Sequence, residues 1–230
     1  MPDALATHRL VDLIATRLPR DRPGIVGLAG SVAVGKTTLA REMAGHLGAE
    51  VVGTDGFLYP NSVLDAGGIL DRKGFPESYD AAAMAAFIAD ERAGLAPLHV
   101  PTYDHATYDR GAHRAVLPAP RVVILEGINA LARPDLLDVG IYLDAEEPVI
   151  VEWFVARFMS LRDSARADPT SFYRRFLGLS DPEAETMAAF VWDSINGPNL
   201  RANIVPQRAE AHIVVTKTAD HSINQITEAR

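Results

Sequence analysis

The sequence predicts an α/β fold, a mostly parallel sheet with helices on both faces. Three observations lead there. Short apolar runs of strand length alternate with longer segments of helical periodicity. The runs Gly24 to Leu28 and Val122 to Leu125 are apolar or small throughout, as strands covered on both faces are. The composition, 48% hydrophobic and 23% charged over 230 residues, is that of a folded globular chain of one domain, here 1–230. In such sheets ligands bind beyond the carboxyl ends of the strands, so residues that close each strand are the first functional candidates.

In chain order, Leu10, Ile14 and Leu18 recur at helical spacing before Pro19 and predict an N-terminal amphipathic helix. Gly24 to Leu28 is the first strand, and Thr37 to Leu47 has the apolar and polar alternation of a helix. Glu50 to Gly53 is a second strand that delivers Thr54 and Asp55 to its end; a long Gly- and Pro-containing segment then runs to Tyr79. Segments of that length are usually functional. Asp80 to Ala93 reads as an Ala-rich helix, His99 to Tyr103 as a strand, Val122 to Leu125 as a buried strand ending at Glu126, and Ile141 to Leu143 as another ending at Asp144. Pro148 to Leu161 predicts a long helix, Asp163 to Leu179 a charged and mobile excursion, Asp181 to Ile195 a helix with an acidic first turn, and His212 to Thr216 a late strand.

The formal net charge of -8 disfavours a nucleic-acid partner, since phosphate chains are bound by clustered Lys and Arg. There is no Cys, which removes disulfides, thiolate ligands and cysteine nucleophiles and fits a cytoplasmic protein. Met1 to Leu18 carries Asp3, His8, Arg9, Asp12 and Arg17, unlike the apolar run of a signal peptide, and no segment is long and apolar enough for a membrane helix, so no membrane partner is expected.

Gly30, Ser31, Val32, Ala33, Val34, Gly35, Lys36 and Thr37 meet the spacing GxxxxGK[ST] in full, after an apolar strand and at the start of a helix. This is a phosphate-binding loop, and it makes the predicted fold P-loop NTPase-like. Glycine lets successive N–H groups approach phosphate oxygens, Lys36 adds a point charge, and Thr37 offers a hydroxyl to Mg2+. The dinucleotide spacing GxGxxG is absent, since Gly27 and Gly30 are separated by two residues. Asp55 lies on the same sheet edge, where it either caps the turn before Gly56 or orients and deprotonates an acceptor hydroxyl. Glu126 resembles a Walker B acid, with a structural ion pair as its alternative. Arg157, Arg162, Arg166, Arg174 and Arg175 suit either a cationic helical lid over about 154–180 or a solvated helix face. His105, between Tyr103 and Tyr108, reads as a pocket residue or a packed histidine.

Longer strings resemble the bacterial type I pantothenate kinases, members of the P-loop kinase group that includes uridine kinase and phosphoribulokinase. They are Gly27 to Thr38, Thr54 to Asn61, Arg72 to Asp80, Pro101 to His105, Tyr108-Asp109, Leu125 to Asn129, Ile141 to Ala145, Ile195-Asn196 and Asn203-Ile204. The resemblance implies ATP- and Mg2+-dependent phosphorylation of the primary hydroxyl of pantothenate, the entry to coenzyme A synthesis. It implies that the loop through Thr38 and His221 serves the nucleotide, with Thr37 and Glu126 at the metal. Asp55 would serve the acceptor hydroxyl, and Lys36 and Arg157 the transferring phosphoryl. Acceptor contacts would come from Tyr103, His105, Tyr108, Phe158, Phe172, Tyr173 and Asn196. Coenzyme A as feedback inhibitor at Arg41, His105 and Lys36, and a homodimer, are further implications.

The chain also departs from the family pattern. It lacks much of the family's N-terminal extension, has a shortened connection between Asn129 and Val139, and carries Phe154 and Phe172 where Tyr is common. Each missing hydroxyl removes a ligand hydrogen bond of order 1 kcal/mol. The loop alone also suits a kinase for another small alcohol, such as a nucleoside or sugar phosphate, using ATP or GTP, or a non-catalytic nucleotide-binding regulator.

Overall fold

The computed structural model describes residues 4–229. Its first strand, β1 (Gly24–Gly30), is buried along its whole length, because small and aliphatic side chains leave both faces to be covered. The strands that follow are β2 (Glu50–Gly53), β3 (Leu98–Asp104), β4 (Asp109–Leu117), β5 (Val122–Glu126), β6 (Val139–Asp144), β7 (Ile213–Lys217) and β8 (Ile223–Glu228). Six of them form one sheet in the order β2-β5-β1-β6-β7-β8, parallel except for the β7–β8 pair. β1 is therefore flanked by β5 and β6, and the registers Leu28 with Glu126 and Gly30 with Leu143 bring three strand ends together.

The helices are α1 (Ala4–Ala15), α2 (Lys36–Leu47), α3 (Asn61–Ala66), α4 (Ala81–Arg92), α5 (Glu147–Ser164), α6 (Asp181–Val191) and the single turn α7 (Gly197–Asn199). Their ends follow local chemistry. α2 begins after Gly35 and stops at Gly48, both in the left-handed region. The Asp80 carboxylate accepts from the Ala83 N–H to cap α4. Ser180 and Glu183 form a capping box on α6. Among the described residues no helix is long and apolar enough to cross a membrane.

Several elements differ from the sequence expectation. α1 stops at Ala15, which leaves Leu18 outside it. β3 does not join the main sheet but pairs with β4 as a separate antiparallel hairpin. β4 had no apolar alternation to reveal it, because Ala112 to Val116 is exposed. β8 was hidden for another reason. Its partners step from Lys217–Ile223 to Thr216–Gln225, so Asn224 is bulged out; Ile223 and Ile226 then both pack on the core despite their odd spacing.

The segment 163–179 is packed rather than a loose excursion. α5 continues to Ser164, and Phe172–Phe176 forms a 3-10 turn whose Tyr173 and Phe176 meet Phe158, Ala184 and Ala188 in a second apolar cluster. Arg162, only 2% exposed, ties this cluster to the frame by donating to Asp163 at 2.9 Å and Asp181 at 2.6 Å. After α6 the helical path runs on through π turns Trp192–Asn196 and Leu200–Ile204, where a helix ending at Ile195 was expected.

The hairpin is seated on the 3-10 turn Thr54–Phe57 that follows β2. At Gly56 a Cβ would stand 2.1 Å from the Pro101 carbonyl oxygen, so the turn and hairpin can touch only through glycine. Gly56→Ala is expected to lower the urea midpoint by the equivalent of about 1–3 kcal/mol, as overpacking does. An unchanged midpoint would mean that the hairpin is free to move away.

Candidate active site

At the carboxyl edge of β1 the loop turns through Gly30 at φ 149° and Ala33 at φ 61° before reaching Gly35. Gly30 has no alternative, since a Cβ there would lie 2.3 Å from the Leu143 carbonyl oxygen. Lys36, 8% exposed, folds back over the loop and donates to the carbonyls of Gly30 at 3.1 Å and Ser31 at 2.7 Å. Burial pushes its ammonium down to about 8, against the pull of the Glu126 and Asp55 carboxylates; the nearby Arg157 adds to the lowering. Thr37, exposed in the first turn of α2 beside Thr38, donates its hydroxyl to Glu126 Oε1 at 3.0 Å. Ser31 Oγ, Thr54 Oγ1 and Asn129 Oδ1 are buried without partners along the same edge. The Thr37 hydroxyl and the Glu126 carboxylate are both oxygen donors, which suit a hard divalent cation that keeps most of its water shell.

Two neighbours of the loop come from the far side of the sheet. Lys217, which ends β7, donates to the Val34 carbonyl at 3.2 Å and lies 5.6 Å from the Trp153 ring centre. Trp153 on α5 donates to the Ala219 carbonyl at 3.1 Å and stacks on His221 at 4.1 Å and 19°. His221 sits at φ 68°, and burial followed by the Lys217 charge lowers its imidazole, which is neutral at pH 7. The family resemblance named His221, whereas Lys217 was not singled out from the sequence. The available signal was its position as the cation closing the last parallel strand.

Asp55 lies in the turn after β2, close enough to Lys36 to act on it electrostatically. Its Oδ1 accepts a hydrogen bond at 3.2 Å from the hydroxyl of Tyr79. Tyr103 at the end of β3 and Tyr108 before β4 stand with their ring centres 6.4 Å apart. All three phenols are pushed up, chiefly by burial and further by Asp55, Tyr108 to about 12, so they stay protonated at neutral pH. His105 is exposed at the hairpin tip, its ring edge-on to Tyr103 at 5.0 Å. Lys73, buried below these rings, donates to Asn61 Oδ1 at 2.6 Å and to the Tyr108 carbonyl at 2.5 Å, with Nζ 4.3 Å from the Tyr108 ring centre. Asn61, Lys73 and Tyr79 were not singled out by sequence reading, although all fall inside strings that carry the resemblance.

The turn Phe172–Phe176 closes against this group. Phe172 stacks on Tyr108 at 4.6 Å, its N–H donates to the Ala106 carbonyl at 2.6 Å, and the Arg175 guanidinium lies over its ring at 3.7 Å from the centre. Tyr173 is half-buried next to it, and Arg157 is exposed on α5 within electrostatic range of both Tyr173 and Lys36. Phe158 is inside the second apolar cluster, at 5% exposure, beneath Tyr173. Asn196 is half-buried in a π turn whose continuation, Asn199, donates to the Gly74 carbonyl at 2.9 Å. Arg41 is exposed on α2, away from these bonds.

A lysine whose folded value lies below its unfolded one lets the unfolded chain bind more protons, so its burial costs stability below pH 8 and the cost disappears as pH rises to 10.5. Lys36→Met is therefore expected to gain stability relative to the parent at pH 7. That gain should shrink by up to about 3 kcal/mol between pH 8 and 10.5. Urea denaturation of both proteins across that range checks it; a constant difference would show the ammonium to be well solvated.

Residues 25–174 match the family model described as phosphoribulokinase / uridine kinase family. A pantothenate kinase of Shewanella loihica is 43% identical over 91% of this chain and 73% of its own length. Another of that name, from Sorangium cellulosum, is 43% identical over 95% of this chain and 77% of its own. Among solved structures, one described as a fructose transport system kinase from a Silicibacter species superposes with a TM-score of 0.70 at 26% identity, covering 85% of this chain and 92% of that one. A D-glycerate 3-kinase from Cryptococcus neoformans shares the fold alone, with a TM-score of 0.68 at 11% identity over 98% and 100% of the two chains. A complete phosphate loop at the centre of a parallel sheet, an acid closing each of the two strands beside it, and these likenesses together show that the chain belongs to the phosphoribulokinase/uridine kinase family, among its pantothenate kinases, and is a phosphotransferase.

Proposed function

We propose that the chain transfers the γ-phosphoryl group of ATP to the primary hydroxyl of pantothenate, forming 4'-phosphopantothenate and ADP at the start of coenzyme A synthesis. The observation that carries the mechanism is that Lys36 and Asp55 occupy one edge of the sheet, the first inside a phosphate loop and the second among protonated phenols. The reading of the acceptor rests on the relatives named pantothenate kinase at 43% identity.

In this reading the loop N–H groups and Lys36 hold the β- and γ-phosphates, and Lys217 and the Trp153–His221 pair border the nucleotide. The acceptor hydroxyl gives its proton to Asp55 as its oxygen bonds to phosphorus, and the bond from phosphorus to the ADP oxygen breaks. Arg157 stands where it can meet charge on the transferring group. Thr37 and Glu126 would hold Mg2+, which when bound neutralises charge on the phosphate oxygens. Tyr103, Tyr108, His105, Phe172, Tyr173 and Asn196 border the acceptor, and the stacked Phe172–Tyr108 pair shields it from water.

ADP release measured with pantothenate, uridine, ribulose 5-phosphate and simple polyols tests the acceptor. Pantothenate is expected to give the strongest stimulation, and none with pantothenate would refute the assignment. Asp55→Asn is expected to lower kcat about 10²- to 10⁴-fold, the range of a lost general base, while ATP binding by titration calorimetry stays within about twofold. Unchanged turnover would remove Asp55 from the chemistry.

A further inference from the structure

Tyr79 is 5% exposed, yet its hydroxyl finds a partner, Asp55 Oδ1 at 3.2 Å. Among the described residues this is the one side-chain bond to the Asp55 carboxylate, and Oδ2 is left without one. The backbone around Tyr79 is strapped to the segment that carries Asp55. Asp80 N–H donates to the Phe57 carbonyl at 2.8 Å, Tyr59 N–H donates to the Ser78 carbonyl at 2.9 Å, and Leu58 and Tyr79 form an isolated antiparallel bridge. The backbone segments that carry the phenol and the carboxylate are therefore tied into one unit, which keeps the two side chains within reach of each other.

A carboxylate on a single Cβ–Cγ bond rotates freely unless one oxygen is held, and a base that rotates spends part of its time misdirected. We infer that Tyr79 is a positioning residue, its hydroxyl holding Asp55 Oδ1 so that Oδ2 faces the acceptor hydroxyl. Burial and the neighbouring Asp55 keep the phenol protonated far above neutral pH, so it donates and cannot compete as a base. The ring itself fills a buried site, which a phenylalanine would also fill. This inference rests on Asp55 being the acceptor-activating base.

The test uses Tyr79→Phe, Asp55→Asn and the double variant, assayed with ATP and pantothenate. Tyr79→Phe is expected to lower kcat about tenfold, the loss of one hydrogen bond, with KM for ATP unchanged. In the double variant no loss beyond that of Asp55→Asn is expected, because a positioning group has nothing left to position. A crystal structure of Tyr79→Phe should show the Asp55 carboxylate in more than one orientation, a readout that does not depend on which alcohol is phosphorylated. Full activity of Tyr79→Phe, losses that multiply in the double variant, or a single unchanged Asp55 orientation would each overturn the inference alone. An active Asp55→Asn would instead remove the underlying reading, and the inference with it.

Discussion

The site depends on one constraint, an ammonium group kept out of water beneath its own loop. Lys36 is held by the carbonyls of Gly30 and Ser31 rather than by a carboxylate salt bridge, so its charge is only partly compensated. Burial without a full counter-ion is costly, which is why its pKa falls to about 8. An incoming polyanion removes that cost, and the energy withheld in the free protein becomes available to bind phosphate. The sheet makes this possible. Gly30 must approach Leu143 within a distance that no side chain permits, and Glu126 must end beside Leu28 to reach Thr37.

The surroundings of Asp55 are built on a different principle. Asp55 follows strand β2 of the central sheet, and its surroundings are a hairpin and a short turn that bring aromatic rings together. Lys73 sits under this group as a buried cation whose partners are the Asn61 amide, a backbone carbonyl and two ring faces. Tyr108 adopts φ 57°, an uncommon conformation for an aromatic residue, and the Lys73 bond to its carbonyl helps hold it there. Rings and a desolvated cation give a pocket that is apolar on its walls and polar at a few points, as small-molecule sites are.

Phe154 and Phe172 both find apolar neighbours. Phe154 packs against Trp192 at 5.6 Å on the main core, and Phe172 contacts both Tyr108 and Arg175. Both rings are occupied by packing and bring no polar group that would need a partner. In this chain the contact between the 172–176 turn and the hairpin is made by stacking and by one backbone bond.

The parallel sheet and the nucleotide half of the site were legible in the sequence because both are local. Buried strands announce themselves by unbroken apolar runs, and the phosphate loop by fixed glycine and lysine spacing within eight residues; Asp55 and Glu126 were found by asking what closes each strand. Lys217 closes a strand too, but its partner, Val34, is 183 positions away. Tertiary structure decided how the aromatic residues are brought around Asp55. The β3–β4 hairpin leaves the sheet, β8 hides its two isoleucines behind a bulge, and segment 163–179 is ordered by rings that meet helix α6 rather than by its own periodicity. Tyr79 meets Asp55 across 24 positions and Phe172 meets Tyr108 across the whole of β5 and β6. Motif spacing records neighbours along the chain, whereas those contacts are set by which surfaces the hairpin and the turn bury against one another.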